Sequence, residues 1–269
     1  MVVSLASVDK RIAALERTEG AEPVPEDRLE FASSIGIVPD SWQERLLCSE
    51  APRVLLNCAR QSGKSTMAAI LALHQALSSP SSLVLVLAPA ERQAKELFSK
   101  AAEAYRTLGH IIPADSYRKL GMELTNGSRI EALPGTEKPI RGFSGVDLLL
   151  VDEASRVSDD LYFAVRPMLA VSGGALMMLS TPYGKRGIFF EEWTSEGVGW
   201  ERYEVPAREC PRIPASFLEE EQRALPARIF RQEYECSFED TEDQVFSYED
   251  VAAAISKDVS PLFSEAEAS

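Results

Sequence analysis

The feature that most constrains this chain is the run Cys58-Ala59-Arg60-Gln61-Ser62-Gly63-Lys64-Ser65-Thr66. The residues before it, Arg53 to Asn57, predict a buried strand, and the residues from Thr66 to Leu77 predict a helix. A strand, a tight Gly-Lys-Ser loop and a helix in this order are typical of a phosphate-binding loop. In such a loop the backbone N–H groups and the helix N-terminus face the phosphates, and the helix dipole favours their negative charge.

Two side chains of this loop have a specific chemical role. Lys64 supplies a mobile cation for the β- and γ-phosphates, and Ser65 supplies a hydroxyl for Mg²⁺. The other predicted nucleotide contacts of the loop are Gln61, Ser62, Gly63 and Thr66. The loop departs from the pattern G-x-x-x-x-G-K-[ST] at its first position, where Cys58 replaces glycine. We therefore expect an ordinary backbone conformation at Cys58, because only glycine tolerates a left-handed one at no cost.

A second motif consists of a strand predicted at 147–151 and the two carboxylates that follow it, Asp152 and Glu153. Four consecutive apolar residues indicate a strand buried on both faces of a parallel sheet. Ligands of open α/β sheets bind at the carboxyl ends of such strands. Alone, the motif could equally be an acidic helix cap after a core strand. Paired with the phosphate loop, it predicts that Asp152 holds Mg²⁺ through water and that Glu153 orients and polarises the attacking water.

Composition sets the limits of the fold. A chain of 269 residues with 45% hydrophobic content suits one large α/β domain with an appendage. We expect no membrane span, because no apolar run reaches 18 residues. The four cysteines lack metal-ligand spacing, so we expect reduced thiols.

The net charge of −14 argues against nucleic-acid binding. However, residues 237–269 hold nine acidic residues and one basic residue, so much of this negative charge lies outside the core. A local basic DNA track therefore remains possible in the core.

Changes in pattern along the chain predict four regions: an N-terminal arm and linker (1–30), a core (31–206), a small helical lid subdomain (207–245) and an acidic tail (246–269). The arm carries an amphipathic helix over 4–18, which either packs on its own domain or docks on a partner. Further core strands are predicted at 81–88, 175–179 and 200–205. A hairpin is predicted over 120–133, with a type I′ turn at Asn126-Gly127. The remaining predicted helices span 42–47, 91–108, 159–169, 186–194, 216–225 and 227–235.

Several motifs coincide in one order. Trp42-Gln43 precedes the first strand, and Arg141-Gly142 precedes Val151-Asp152-Glu153. Ser180-Thr181-Pro182 ends the next strand, and the segment 230–238, FRQEYECSF, closes the lid. Together with a phosphate loop that carries an arginine and lacks its first glycine, this order resembles the N-terminal ATPase domain of the large terminase subunit, the DNA-packaging motor of tailed bacteriophages. The resemblance covers roughly residues 35–250.

The resemblance implies a P-loop NTPase fold of the additional-strand, catalytic-glutamate type, with a mostly parallel sheet flanked by helices. It implies that Gln43 reads adenine and that Arg60 is an extra catalytic and nucleotide-binding cation. Ser180 and Thr181 match the motif that couples hydrolysis to DNA movement. Arg141 lies where the family's trans-acting arginine is suspected. ATP and Mg²⁺ are the implied substrate and cofactor.

The implied partners are double-stranded DNA, further copies of the chain in a ring, the portal and the small terminase subunit. The chain is expected to be a monomer alone and to act in the host cytoplasm on the procapsid, without a membrane. Large terminases also carry a metal nuclease domain, for which we see no room here, so we expect no nuclease activity in this chain. Either the chain is a fragment that contains the ATPase domain or the gene product is short.

Two alternatives stay open. A superfamily 2-type helicase or translocase normally has two RecA-like cores, whereas one phosphate loop is visible. A nucleotide-switched assembly factor that docks on capsid or nuclease partners is the second alternative, although the intact Lys64, Asp152 and Glu153 argue for turnover.

Overall fold

The computed structural model describes residues 24–135, 142–195, 199–240 and 248–254. The helix predicted over 4–18, Arg141 and most of the acidic tail lie outside these residues.

The helices and strands alternate along most of the chain. The helices are α1 (Arg28–Ser34), α2 (Ser41–Leu47), α3 (Lys64–Ser78), α4 (Glu91–Thr107), α5 (Asp159–Val165), α6 (Gly187–Thr194), α7 (Ala215–Ala224), α8 (Ala227–Tyr234) and α9 (Tyr248–Ala254). The strands are β1 (Arg53–Cys58), β2 (Leu83–Ala88), β3 (Ala114–Arg118), β4 (Gly121–Leu124), β5 (Arg129–Pro134), β6 (Leu148–Asp152), β7 (Ala175–Ser180) and β8 (Glu201–Val205). Short 3₁₀ turns follow β6, α5 and β8.

The strands form one eight-stranded sheet in the order β3-β4-β5-β2-β6-β7-β1-β8. The six strands from β5 to β8 in this order are parallel, whereas β4 runs antiparallel to both of its neighbours. β1, β7 and β6 are adjacent, so their carboxyl ends meet at one edge of the sheet. The predicted fold class, a mostly parallel sheet flanked by helices, is confirmed.

Side chains from alternate positions of the central strands pack on opposite faces of this sheet. Val54 and Leu56 of β1 join the cluster under α1 to α4, whereas Leu55 joins the cluster under α5 and α6. Leu149 and Leu150 of β6 separate in the same way. Because both faces are covered, these strands are apolar throughout, which is why the sequence shows continuous apolar runs there.

Two predictions of local structure need correction. α1 begins at Arg28, inside the stretch assigned to the linker, because Asp27 caps it and Phe31 and Ala32 are buried against the core. The hairpin turn is not type I′, which requires positive φ at both central residues. Gly127 has φ of 79°, whereas Asn126 keeps a negative φ, and the Gly127 N–H donates to the Leu124 carbonyl at 2.8 Å. The buried Asn126 amide instead donates to the carbonyl of Ala76 at 2.9 Å.

Two further differences concern helix ends. The predicted helix over 159–169 changes to a 3₁₀ turn from Arg166, next to Pro167, whose ring removes a backbone donor. α3 begins at Lys64, two residues before the predicted start. Among the helices that the structure describes, none is long and apolar enough to cross a membrane.

Candidate active site

The phosphate loop connects β1 to α3 at the edge where the parallel strands end. Cys58 closes β1 in extended backbone and is fully buried, so the residue that replaces glycine needs no special conformation. Gln61 and Gly63 take left-handed φ values of 61° and 94°. The first turn of α3 contains no acidic residue, so the positive end of its dipole is not offset from within the turn. These features suit an anion at the start of α3.

The Lys64 ammonium group lies between two predicted functional side chains. Its Nζ is 3.5 Å from Oε1 of Glu153 and donates to Oγ1 of Thr181 at 3.2 Å. Lys64 is buried, and so is Thr181. The structure therefore brings together the phosphate-loop lysine, the predicted catalytic carboxylate and the predicted coupling threonine, which are distant in sequence.

Asp152 and Glu153 form a carboxylate pair at the end of β6. Asp152 is buried, and its Oδ1 accepts a hydrogen bond from the backbone N–H of Glu153 at 3.0 Å. Burial, and then the nearby Glu153 charge, raise the pKa of Asp152 to about 6. Glu153 has φ of 49°, a left-handed conformation that is uncommon outside glycine. Strained backbone of this kind is often found at functional sites.

The donor set fits a hard divalent cation. Two adjacent carboxylates lie beside one lysine, and burial, followed by the Glu153 charge, disfavours the ionised form of Asp152, which a bound cation would favour. Carboxylate and hydroxyl oxygens are the ligands that Mg²⁺ prefers. The residues that would hold Mg²⁺ are Asp152 and Ser65, the second residue of α3.

The segment after β7 is bonded to the segment after β6. Ser155 donates through Oγ to the Thr181 carbonyl at 2.7 Å, and its backbone N–H donates to Ser180 Oγ at 3.2 Å. The guanidinium of Arg156 stacks over the Tyr183 ring, 3.9 Å from its centroid. A shift of Thr181 would therefore reach the carboxylate loop directly. Ser155 lies two residues after Glu153, yet the sequence alone does not indicate these hydrogen bonds to the segment after β7.

The other two predicted nucleotide contacts occupy different surroundings. Gln43 is buried in α2; its Oε1 accepts the Asp40 N–H at 2.9 Å, and its Nε2 lies 2.9 Å from the position a Cβ on Gly63 would take. Its amide thus lies beside the phosphate loop at Gly63. Arg60 is more exposed, and its Nε forms an ion pair with Glu233 of α8. The predicted lid segment therefore touches the loop.

Further contacts tie β1 and the loop to β8, to α8 and to the segment after α8. The buried Asn57 side chain donates to the Cys236 carbonyl at 2.8 Å, and the Arg60 N–H donates to the Glu233 carbonyl at 3.0 Å. Ala59 N–H donates to the Val205 carbonyl of β8 at 2.9 Å. Burial raises the pKa of the Cys58 thiol, so this thiol stays protonated.

One residue at the loop was missed by the sequence analysis. Arg212, between β8 and α7, donates through Nη2 to the Ser62 carbonyl at 2.8 Å and through Nη1 to Asp40 Oδ1 at 2.8 Å. The only sequence signal is an arginine between two prolines, Pro211 and Pro214, and this signal does not say which carbonyl it reaches. Of the predicted site residues, Arg141 alone lies outside the described residues.

The sheet order, the phosphate loop and the carboxylates after β6 define an α/β protein of the P-loop NTPase fold. The family model described as "Terminase large subunit, T4likevirus-type, N-terminal" matches residues 55–253. The chain therefore belongs to this family, and the resemblance inferred from the motifs is confirmed.

Individual relatives agree with this assignment. The terminase large subunit of Escherichia phage T5 is 29% identical over 223 residues, which cover 78% of this chain and 50% of that protein. Among solved structures, the large terminase ATPase domain of Thermus phage P74-26 matches with a TM-score of 0.70 and 20% identity, covering 81% of this chain and all of that domain (100%). The large terminase of a thermophilic bacteriophage in complex with ADP matches with a TM-score of 0.59 and 11% identity, over 85% of this chain and 53% of that one. The chain spans about half the length of the T5 protein.

Proposed function

We propose that this chain is the ATP-hydrolysing motor domain of a viral DNA-packaging terminase. The observation that carries the proposal is the position of Lys64 Nζ between Glu153 and Thr181, at the N-terminus of α3. A buried cation beside a carboxylate, next to backbone N–H groups that face an anion, is the arrangement that phosphoryl transfer requires. Membership in the terminase large subunit family supports the same assignment.

In this proposal the chain positions its substrate rather than reacting covalently with it. The backbone N–H groups from Gln61 to Ser65 hold the phosphates, and Lys64 neutralises charge as it develops on the transferred group. Glu153 orients and polarises the attacking water. Ser65 and Asp152 would hold Mg²⁺, which would supply positive charge to offset that of the phosphates. Thr181 bonds Lys64 at 3.2 Å, so a change at the phosphates alters a contact of the coupling segment.

The chain is also proposed to act together with other proteins and with DNA. The T5 relative is a terminase large subunit. By likeness to it, we propose that copies of this chain assemble into a ring that moves double-stranded DNA into a capsid, with the portal and the small terminase subunit as further partners. DNA packaging then takes place in the host cytoplasm, on the procapsid. Outside the ring the chain is a monomer, and within the ring Arg141 acts on the neighbouring subunit's site.

The decisive experiment compares Glu153→Gln with the parent chain and with Glu96→Gln, an exposed control on α4. Glu153→Gln keeps the shape of the side chain and loses the charge that orients water, so we expect normal ATP binding and hydrolysis lower by about 10²–10⁴-fold. Lys64→Ala should also weaken nucleotide binding. Hydrolysis by Glu153→Gln within a few-fold of the Glu96→Gln control would refute the assignment of the catalytic carboxylate.

The proposal assigns no nuclease activity to these 269 residues. In the part of the chain that the structure describes, no group of three or more His, Cys, Asp or Glu residues could hold a metal ion. Plasmid incubated with the protein and Mg²⁺ or Mn²⁺ should stay intact. Cleavage that scales with protein and survives Lys64→Ala would contradict this part of the proposal.

A further inference from the structure

The guanidinium of Arg212 joins three parts of the molecule that are separate in sequence. Nη2 donates to the Ser62 carbonyl of the phosphate loop at 2.8 Å. Nη1 donates to Asp40 Oδ1 at 2.8 Å and lies 2.8 Å from Oδ2. Asp40 is the residue before α2, the helix that carries Gln43. Arg212 itself lies in the turn that leads from β8 to α7.

The contact with Ser62 fixes the direction of one peptide group. The bond between Ser62 and Gly63 is planar and trans, so its C=O and its N–H point in opposite directions. Arg212 holds the C=O, and this aims the Gly63 N–H away from Arg212. Inward-facing N–H groups are the donors through which such a loop holds phosphate oxygens.

The same side of the loop is filled by polar groups. A Cβ on residue 63 would come within 2.9 Å of Gln43 Nε2 and 3.3 Å of Arg212 Nη2. Glycine at this position thus allows both the φ of 94° and the close approach of these two side chains. The Gln43 amide and the Arg212 guanidinium therefore brace the back of Gly63, where a small displacement would turn its N–H.

Arg212 is held in place by its own turn and by Asp40. Its turn is closed by a hydrogen bond from Ile213 N–H to the Cys210 carbonyl at 2.9 Å, and Cys210 is buried. Pro211 and Pro214 flank it and restrict its backbone. Asp40 holds one end of the planar guanidinium fork, so the other end meets the Ser62 carbonyl in a fixed direction.

We infer that Arg212 is a positioning residue for nucleotide binding: it orients the Ser62–Gly63 peptide so that the phosphate loop is preformed. This inference rests on the proposed function, since it assigns a residue to the same site. It also makes nucleotide affinity depend on the turn before α7, because a movement of that turn would release the Ser62 carbonyl. Arg212 acts through the loop backbone and is assigned no contact with ATP.

The test uses the full chain with Arg212→Ala, Arg212→Lys and the control Arg208→Ala, an exposed arginine four residues earlier. Titration with fluorescent ADP measures the Kd, and amide hydrogen exchange measures the peptides that cover residues 60–66. For Arg212→Ala we expect a Kd about tenfold or more above that of the control, from the loss of a charge-assisted hydrogen bond, and faster exchange in the loop. The Kd and the loop exchange rate of Arg212→Lys should lie between those of Arg212→Ala and those of the control. The reason is that an ammonium group cannot bridge both acceptors as a planar guanidinium does.

Steady-state kinetics separate positioning from general damage. Positioning predicts that KM for ATP rises with the Kd while kcat changes far less. A merely structural role would lower the melting temperature and the active fraction, and so kcat, without changing the Kd of the folded molecules. If Arg212→Ala does not fold, Arg212→Lys decides the question. A Kd and a loop exchange rate equal to those of Arg208→Ala, in whichever variant folds, would overturn the inference.

The outcome also separates this inference from the proposed function. A parent chain that binds ADP but never hydrolyses ATP contradicts the proposed function and leaves the Arg212 comparison valid. A parent chain that hydrolyses ATP, with Arg212 variants matching the control, contradicts only the role of Arg212.

Discussion

Asp152 shows how a single buried carboxylate can be tuned by its surroundings. It is buried at the end of β6 beside Glu153, and these surroundings raise its pKa from an ordinary 3.8 to about 6. The folded state therefore binds this proton more tightly than the unfolded state does. As a consequence, ionising Asp152 lowers the stability of the fold as pH rises from about 4 to about 6.

Asp152→Asn should accordingly stabilise the protein in the absence of Mg²⁺. We expect its melting temperature to exceed that of the parent by several degrees at pH 8, because the amide carries no charge to bury. The difference should shrink as pH falls through 6 and vanish below about pH 3, where the parent side chain is neutral in both states. Thermal unfolding across this pH range, with EDTA present, measures it. A difference that is constant with pH would show that the Asp152 charge is not the cause.

Removing the hydroxyl of Thr181 tests whether the coupling segment affects ATP hydrolysis. Its Oγ1 accepts a hydrogen bond from Lys64 at 3.2 Å in buried surroundings. Thr181→Val keeps the shape and removes the acceptor, so the ammonium of Lys64 moves toward Glu153. We expect turnover to fall by roughly 10–100-fold, the value of a hydrogen bond to a charged group, with a smaller change in ADP affinity.

The matched control for Thr181 is Thr181→Ser, which retains the hydroxyl and should keep most of the turnover. ATP hydrolysis and ADP titration are measured on the same preparations. Equal turnover in the valine and serine variants would mean that the hydroxyl does not matter for hydrolysis.

At the scale of elements, the end of β1 is bonded to the segment that follows α8. The Asn57 side chain donates to the Cys236 carbonyl at 2.8 Å, and both residues are buried. Asn57→Ala would leave that carbonyl without this donor inside the protein. We expect the free energy of unfolding in urea to fall by about 1–3 kcal/mol. The exposed Gln222→Ala on α7 serves as the control, and a loss no greater than that of the control would contradict the prediction.

The sequence predicted the central strands because strands buried on both faces consist almost entirely of apolar residues. β2, β6 and β7 are continuous apolar runs, and their predicted bounds agree with the structure to within two residues. β3 was missed because its residues are mostly exposed and show no apolar alternation; it forms only by pairing with β4. The order of strands could not be predicted either, because it depends on which crossovers pack on which face.

The residues of the candidate site also differ in whether the sequence could predict their positions. Lys64, Asp152, Glu153 and Thr181 stand in short motifs at strand ends, where sequence position alone implies proximity in a parallel sheet. The structure brings Lys64, Glu153 and Thr181 together, although their catalytic roles stay predictions. Arg212 contacts a loop 150 residues away, and no local pattern specifies such a contact.

At the scale of the whole molecule, charge is distributed unevenly. The net charge is −14, but the last 33 residues carry nine of the acidic residues against one lysine. Sequence-independent DNA binding depends on many phosphate contacts, which a near-neutral core supplies only weakly as a monomer. The proposed ring would add such contacts around one DNA duplex, so the assembled state rather than the single chain is the unit that should be tested for turnover.

Arg141 lies outside the described residues, and its role is inferred from the resemblance alone. A guanidinium is always charged and can grip phosphate oxygens in two places. A finger of this kind, reaching into the neighbouring subunit's site, is worth about 10³–10⁵ in rate. We therefore expect Arg141→Ala to bind ATP normally and to lose turnover in the assembled ring.

Mixing two inactive variants tests whether Arg141 acts in trans. Glu153→Gln subunits retain Arg141, and Arg141→Ala subunits retain Glu153. In mixed rings some sites would combine an intact Glu153 with an intact Arg141 from the adjacent subunit, so ATP hydrolysis should partly recover. Rings of each variant alone are the controls, and mass measurements verify that mixed rings form. If mixed rings form and never recover hydrolysis, Arg141 acts within its own subunit or only holds its loop, and Arg60, Arg92 and Arg228 become the arginines to substitute next.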